Sequence, residues 1–305
     1  MTSHEEKYLH ICSLIEKRYP ILAPTWHSAL ERFGQVWLKQ FITNIETIFD
    51  TVEKEGDQSG LLRALDGYAE FCNDSLRNQA FFEKHRRYRA SKYSECVNDY
   101  YMNEDHMNQC YLPGMWISHY VWPQHYNMLT GFQHGALRRV GQSAKLFYEV
   151  GVGCGMYSKV ALEGLPEARG VGFDISEHAL NFTKRMVDKF GYGDRYSVQQ
   201  RDISLGVDVK CDFLICQEVL EHLENPAEFC GWLRDMTKPG GFAYVTAALN
   251  AAHSDHIFLL RNPLELEEML RDAGFQPMGL QEEFAAGTKP REITPSLAGY
   301  FCERS

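Results

Sequence analysis

The stretch Phe147-Tyr148-Glu149-Val150-Gly151-Val152-Gly153-Cys154-Gly155 limits what this chain can become more than any other part of it. A short apolar run of strand character ends in a turn with glycine at every second position, and helix-like sequence follows. Glycine lets a backbone turn tightly and approach a ligand without a Cβ clash, and the next helix presents free N–H groups to whatever sits there. A ligand is expected over this turn. The spacing is Gly-x-Gly-x-Gly, so the dinucleotide fingerprint Gly-x-Gly-x-x-Gly is not matched.

From Ala144 onward, short apolar runs alternate with helical patterns, which predicts an α/β fold with a parallel sheet. The expected strands are Leu146 to Val150, Gly170 to Phe173, Tyr196 to Gln199, Phe213 to Cys216, Phe242 to Thr246, Gln276 to Gln281 and Ala298 to Cys302. A helix before the sixth is punctuated by Asn262 as N-cap, Pro263 at its first position, Glu265 three residues after the cap, and Gly274 past its end.

The first half reads differently. Apolar residues recur at helical spacing as Tyr8, Ile11, Cys12, Ile15, Tyr19, then Trp37, Phe41, Ile45, Ile48, Val52, then Leu61, Leu65, Tyr68, Cys72, Leu76. The turn formers Glu55, Gly56, Asp57, Gln58, Ser59 and Gly60 separate the last two sets. Residues 1–140 are expected to be a helical module and residues 141–305 the α/β domain.

Two acids extend the ligand reading. Asp174 ends the second strand 19 residues beyond Gly155, where a carboxylate can accept from both hydroxyls of a ribose. After the third strand, Gln200-Arg201-Asp202-Ile203 offers Asp202 to an adenine amine and Ile203 to the ring face. Strand ends of an open α/β sheet form one crevice, so these sites serve one ligand.

Together these motifs resemble the class I S-adenosylmethionine (SAM)-dependent methyltransferases over roughly residues 144–304. The pattern is carried by Glu149, Gly151, Gly153 and Gly155, by Asp174, by Asp202, by Asp212 leading into Gln217-Glu218-Val219-Leu220-Glu221-His222, and by Lys238-Pro239-Gly240-Gly241. The resemblance implies a Rossmann-like seven-stranded sheet of order 3-2-1-4-5-7-6 and SAM as cofactor. Its contacts would come from Glu149, the glycine turn, Asp174, Ile175, Asp202, Ile203 and Gln217. Upstream, Tyr100-Tyr101 and Tyr111-Leu112-Pro113-Gly114-Met115-Trp116 resemble the aromatic segment of small-molecule methyltransferases with an N-terminal helical lid. This places Tyr100, Tyr111 and Trp116 at the cofactor and Tyr101 among the reacting groups, since aromatic faces can surround a sulfonium.

SAM carries its own leaving group, so holding the nucleophile in line matters more than a strong base. Base candidates are His119, His125, His222, His253 and His256, with His222 nearest the expected sulfonium; Asn250 and His253, after the fifth strand, are expected to touch the acceptor. Glu218, Glu221 and His222 resemble a divalent-ion motif of some ubiquinone-pathway and small-RNA methyltransferases, with His253 as a fourth ligand, but no metal is expected. Methyl transfer to a small, biosynthetic acceptor is the leading function. Cyclisation of SAM to azetidine-2-carboxylate and methylthioadenosine is the enzymatic alternative, and a SAM-binding regulatory subunit the non-enzymatic one.

The formal charge of −10 disfavours nucleic acid as a partner. The basic run Lys84 to Lys92 reads as a solvated helix face. Nine scattered cysteines without a Cys-x-x-Cys pair suggest free thiols in a reducing cytoplasm. The start MTSHEEKYLH lacks a leader pattern and no run approaches a bilayer span. The expected partner is a small molecule, with neither nucleic acid nor membrane, and a homodimer stays open.

Overall fold

The computed structural model describes residues 2–50, 59–285 and 293–305. Val52 and the turn residues Glu55, Gly56, Asp57 and Gln58 lie outside the described residues.

Three long helices open the chain. α1 (Ser3–Arg18) starts with a reciprocal capping box between Thr2 and Glu5 and buries Tyr8, Ile11, Cys12 and Ile15. α2 (Ala23–Ile48) is two helices joined at a kink, because Gly34 takes φ +79. Its first part, with Trp26 and Ala29 buried, has no counterpart in the expected pattern; the kink resets the periodicity that begins again at Trp37. α3 (Gly60–His85) is capped by Ser59, whose hydroxyl accepts from Leu62 N. Leu76, expected on its buried face, is 55% exposed. The basic run straddles the helix end rather than lining one face: Arg86 caps α3 in the left-handed region, while the Arg87 and Arg89 guanidiniums lie over the Phe81 ring.

Two shorter helices, Leu112–Val121 and Pro123–Gly131, follow. They are separate because Pro123 disfavours a helical residue before it, and Trp122 accordingly has ψ 121.

The sheet has order β3-β2-β1-β4-β5-β7-β6, with β1 Leu146–Val150, β2 Arg169–Asp174, β3 Tyr196–Gln200, β4 Cys211–Gln217, β5 Thr237–Leu249, β6 Phe275–Phe284 and β7 Ser296–Arg304. β7 runs antiparallel to both neighbours. The expected fifth strand started too late: Thr237 already pairs with Cys211, and Lys238-Pro239-Gly240-Gly241 forms the irregular start of β5. Between β5 and β6, Asn262 caps helix Pro263–Asp272 by accepting from Leu264 N and Glu265 N, and Gly274 follows with φ +96.

Side chains alternate across the sheet, as a two-residue period requires. Phe147, Phe213, Ile215 and Tyr244 share one continuous cluster with Tyr8, Phe41 and Leu65 of the helices. Tyr148, Leu214, Cys216 and Val245 face the other way, into a second cluster closed by the helices after β4 and β5. All nine cysteines are unpaired and buried. Among the described residues, no helix is long and apolar enough to cross a membrane.

Candidate active site

The strand ends β1, β2, β3 and β4 open into a cavity of about 880 Å³. That lies within the range of roughly 300–1,000 Å³ typical of small-molecule sites. Its floor is the turn after β1, where Gly151, Gly153 and Gly155 have φ +73, +48 and +73. A Cβ on Gly151 would meet Val219 Cγ2 at 2.4 Å, so the turn needs glycine for conformation and for space. Gly155 serves the turn alone. It is not on the cavity wall, it closes the loop through a 2.7 Å bond from its N–H to Val152 O, and a Cβ there would strike Met186 and Thr183.

Asp174 ends β2 with its carboxylate held by Ser176 N at 2.8 Å and Gly153 N at 3.4 Å. Two such bonds leave lone pairs for further donors. Ile175, 41% exposed, and the buried Ile203 both line the cavity, as does Asp202, whose Oδ1 accepts from Ser204 N. Glu149 sits buried under the turn, accepting from the Ser158 hydroxyl, and burial pushes its carboxyl up to about 8. Gln217 lines the same space; its Oε1 accepts from Thr246 Oγ1, and its buried Nε2 has no partner. An unsatisfied buried donor, two acids with spare acceptor capacity and an apolar wedge at Ile175 and Ile203 match the polar and apolar needs of SAM.

The helical half closes the cavity with Tyr93, Tyr101, Tyr111, Met115, His119, Trp122 and His125. Besides Gly155, three expected residues stay off its wall. Trp116 is 1% exposed and packs edge-on against Phe49 and beside Tyr120 in the helical core, because its helix turns it away from Met115 and His119. Tyr100 packs against the His106 ring. Asn250, at φ +51, is occupied by the following loop: its N–H donates to Leu260 O and its amide to Arg261 O.

The loop after β5 carries an unexpected centre, Asp255. It is fully buried, accepts from the Tyr101 hydroxyl at 2.8 Å, and pairs with His253 Nδ1 at 2.7 Å. His222 Nδ1 lies 2.9 Å from the Tyr101 oxygen and 3.1 Å from the Asp255 carbonyl. Burial alone would raise the Asp255 carboxyl, yet His222 and His253 hold it well below its ordinary value. For His253, burial works against the charge but Asp255 and Asp74 reverse this and raise its pKa. Its Nε2 is 3.1 Å from Asp74 Oδ2, in ion-pair range but off the hydrogen-bond line. Asp74, Asn78 and Gln79 on α3 all hold this loop, through Ser254, Ala252 N and Asn250 O. Tyr101, His222 and His253 were singled out one by one; the acid joining them had no motif to mark it.

Glu221, His222 and His256 bring one ligand atom each within 4.8 Å of one another, and Glu221 Oε2 is buried without a partner. Glu218 and His253 stand outside that group, so the grouping differs from the motif read in the sequence.

A seven-stranded sheet of this order, with a left-handed glycine turn and acids at the next two strand ends, is the Rossmann-like fold of the class I methyltransferases. The chain carries a SAM-dependent methyltransferase domain of that class: residues 148–243 match the family described as "methyltransferase domain". The chain is 26% identical over 155 residues to a ubiquinone biosynthesis O-methyltransferase of Azoarcus sp., covering 50% of this chain and 62% of the relative. It is also 26% identical over 159 residues to one of Thiobacillus denitrificans, covering 45% and 67%. The chain thus spans about three-fifths of the Azoarcus relative's length. Among solved structures, phosphoethanolamine N-methyltransferase 2 of Haemonchus contortus, in complex with SAM, is similar in fold, with TM-score 0.51 and 13% identity over 71% of this chain and 60% of that one.

Proposed function

We propose that this protein transfers the methyl group of SAM to the oxygen of a small molecule enclosed between the sheet and the helical half. The observation that carries the reading is one cavity walled on one side by the glycine turn, Asp174 and Gln217, and on the other by Tyr101, Tyr111 and Trp122. SAM supplies an electrophilic methyl on a sulfonium; Asp174 holds the ribose, Asp202 and Ile203 the adenine, and Glu149 and the turn the methionyl end. The names of the curated relatives support oxygen as the methylated atom. His222 acts in this reading as a positioning residue, since its Nδ1 is committed to Tyr101 and Asp255. Enclosure beneath aromatic rings favours a small acceptor over a macromolecule, and nine buried thiols suit a reducing compartment.

The test is calorimetric titration with SAM, followed by mass spectrometry of SAM incubated with the protein alone. Binding without turnover agrees with the proposal, because the acceptor is then missing. Absence of binding overturns it, and release of methylthioadenosine replaces it with attack on the aminobutyrate chain.

A further inference from the structure

The cavity wall is one-sided in charge. Among the described residues its acids are Glu83, Glu149, Asp174, Asp202 and Glu218, against Arg201 as its one arginine and no lysine. An anion would enter against that field and a cation with it. Glu149, Asp174 and Asp202 have cofactor work in the reading above; Glu218 has none. It follows β4 at φ +49, one of three non-glycine residues with positive φ among the described residues, a conformation that costs energy and collects at working sites. Its carboxylate accepts no hydrogen bond among those residues, and its ion-pair contact is His125 Nε2, 4.0 Å from Oε2. With no cation beside it, burial pushes the carboxyl up to about 7.

His125 cannot supply the missing hydrogen. The Met115 carbonyl accepts from the Ser118 hydroxyl at 2.7 Å and pairs with His119 Nδ1 at 2.8 Å. A carbonyl only accepts, so His119 carries its hydrogen on Nδ1. Ser118 has one hydrogen and gives it to Met115, so its oxygen accepts from His125 Nδ1, 2.9 Å away. Both rings therefore present a bare Nε2, and both line the cavity. Burial lowers the pKa of each, His119 to about 4 and His125 well below its ordinary value, so neither ring is a cation. His125 is 8% exposed, and its Nε2 has no hydrogen-bond partner among the described residues. The two rings lie 5.5 Å apart, with Trp122 4.9 Å from His125 and Tyr157 5.7 Å from His119.

We infer that Glu218, His125 and His119 form a subsite for a primary ammonium group, and that the acceptor is an amine-bearing small molecule anchored there while another of its atoms is methylated. This rests on the methyl-transfer reading. A corner built only of acceptors needs a ligand rich in donors. A hydroxyl brings one hydrogen and satisfies one of the two facing atoms; water brings two, but no charge to balance Glu218. An ammonium brings three hydrogens and a positive charge. With Glu218 Oε2 and His125 Nε2 4.0 Å apart, one nitrogen reaches both at ordinary hydrogen-bond length. The rings of Trp122 and Tyr157 flank the corner, and aromatic π-systems attract a cation. A nitrogen held in this way keeps its protons and has no free electron pair to attack SAM. The ammonium is therefore an anchor, and the methyl group goes elsewhere on the same molecule.

The test titrates three probes of similar size, 2-phenylethylammonium, 2-phenylethanol and 3-phenylpropionate, into full-length protein saturated with S-adenosylhomocysteine, followed by calorimetry. The expected result is that the ammonium binds roughly tenfold more tightly than the alcohol, the effect of one charge-assisted hydrogen bond, and that the carboxylate binds most weakly. Glu218→Gln brings ammonium and alcohol within a factor of two of each other, with melting temperature and S-adenosylhomocysteine affinity kept. His125→Leu reduces the preference and decides the placement should Glu218→Gln not fold. A wild type that ranks the three probes alike, or binds none of them while binding S-adenosylhomocysteine, overturns the inference and leaves the methyl-transfer reading standing. So does a preference for the ammonium that survives unchanged in these variants. Weaker binding of SAM or S-adenosylhomocysteine by Glu218→Gln, with methylthioadenosine unaffected, gives the corner to the cofactor's own charge and overturns the inference as well. Failure of wild type to bind SAM and S-adenosylhomocysteine overturns the methyl-transfer reading, and the inference with it.

Discussion

The hydroxyl of Tyr101 donates to the buried carboxylate of Asp255 at 2.8 Å, joining the aromatic segment of the helical half to the loop after β5. The Tyr101 carbonyl accepts from Ser176 Oγ at 3.0 Å, so this one residue is anchored at two strand ends. Tyr101→Phe removes the donor and leaves a buried charge short of one bond. A hydrogen bond to a charged group contributes roughly 1.5–3 kcal/mol, and that loss is expected in urea unfolding. Unchanged stability would mean that His222 and His253 satisfy Asp255 without Tyr101.

The contact of His253 with Asp255 and Asp74 should be strongest in mildly acidic solution. The folded pKa of His253 is raised, so its contribution is complete below the ordinary value near 6.5 and is lost as pH climbs through the folded value. The folded pKa of Asp255 is lowered, so its contribution is present above about 3.9 and lost as pH falls through the folded value. Glu149, Glu218 and Glu221, all raised by burial, also lose stability with rising pH. The informative quantity is therefore the difference between wild type and His253→Gln, measured from pH 5 to 9. It should shrink as the solution becomes alkaline; a difference that grows would place the pair's stabilisation elsewhere.

Asp174→Ala should weaken SAM binding by roughly 1.5–3 kcal/mol with the fold retained. Calorimetry beside a thermal melt reads both quantities. Equal binding by the variant would remove the ribose role from Asp174.

Trp116→Ala should cost about 3–5 kcal/mol of stability, the range for emptying an aromatic site in a packed core. On folded protein, SAM affinity should stay at the wild-type level, because the ring faces Phe49 and Tyr120. Loss of SAM affinity without loss of melting temperature would return Trp116 to the cavity.

The strands were legible because each is a short run with a clear stop, and the sheet side of the cavity because it is built at consecutive strand ends: Glu149, Asp174 and Asp202 follow one another at nearly fixed intervals and line one space. The helical side was legible only as composition. Between Tyr100 and Tyr126 aromatic residues are dense, but a helix advances 100° per residue. Met115 and Trp116, adjacent and 100° apart, therefore end up facing the cavity and the core respectively, and nothing local in the sequence says which way round. Asp74, Asn78 and Gln79 were illegible for another reason. Polar residues on a long helix ordinarily meet water, and only the return of the loop Ala251–His256 gives them partners more than 170 positions away.

The packing of Phe147 and Phe213 with Tyr8 and Phe41 in a single cluster bears on how this protein could be re-engineered. A cap that merely rests on a scaffold can be exchanged for one from another enzyme to change what is admitted. Here the cap supplies half of the interior on one side of the sheet, so a graft would have to match the scaffold residue for residue, and cutting it off would bare a broad aromatic face to solvent and to other copies. Variation in what the cavity admits is therefore expected through single side chains on its wall, with the helices themselves kept as they are.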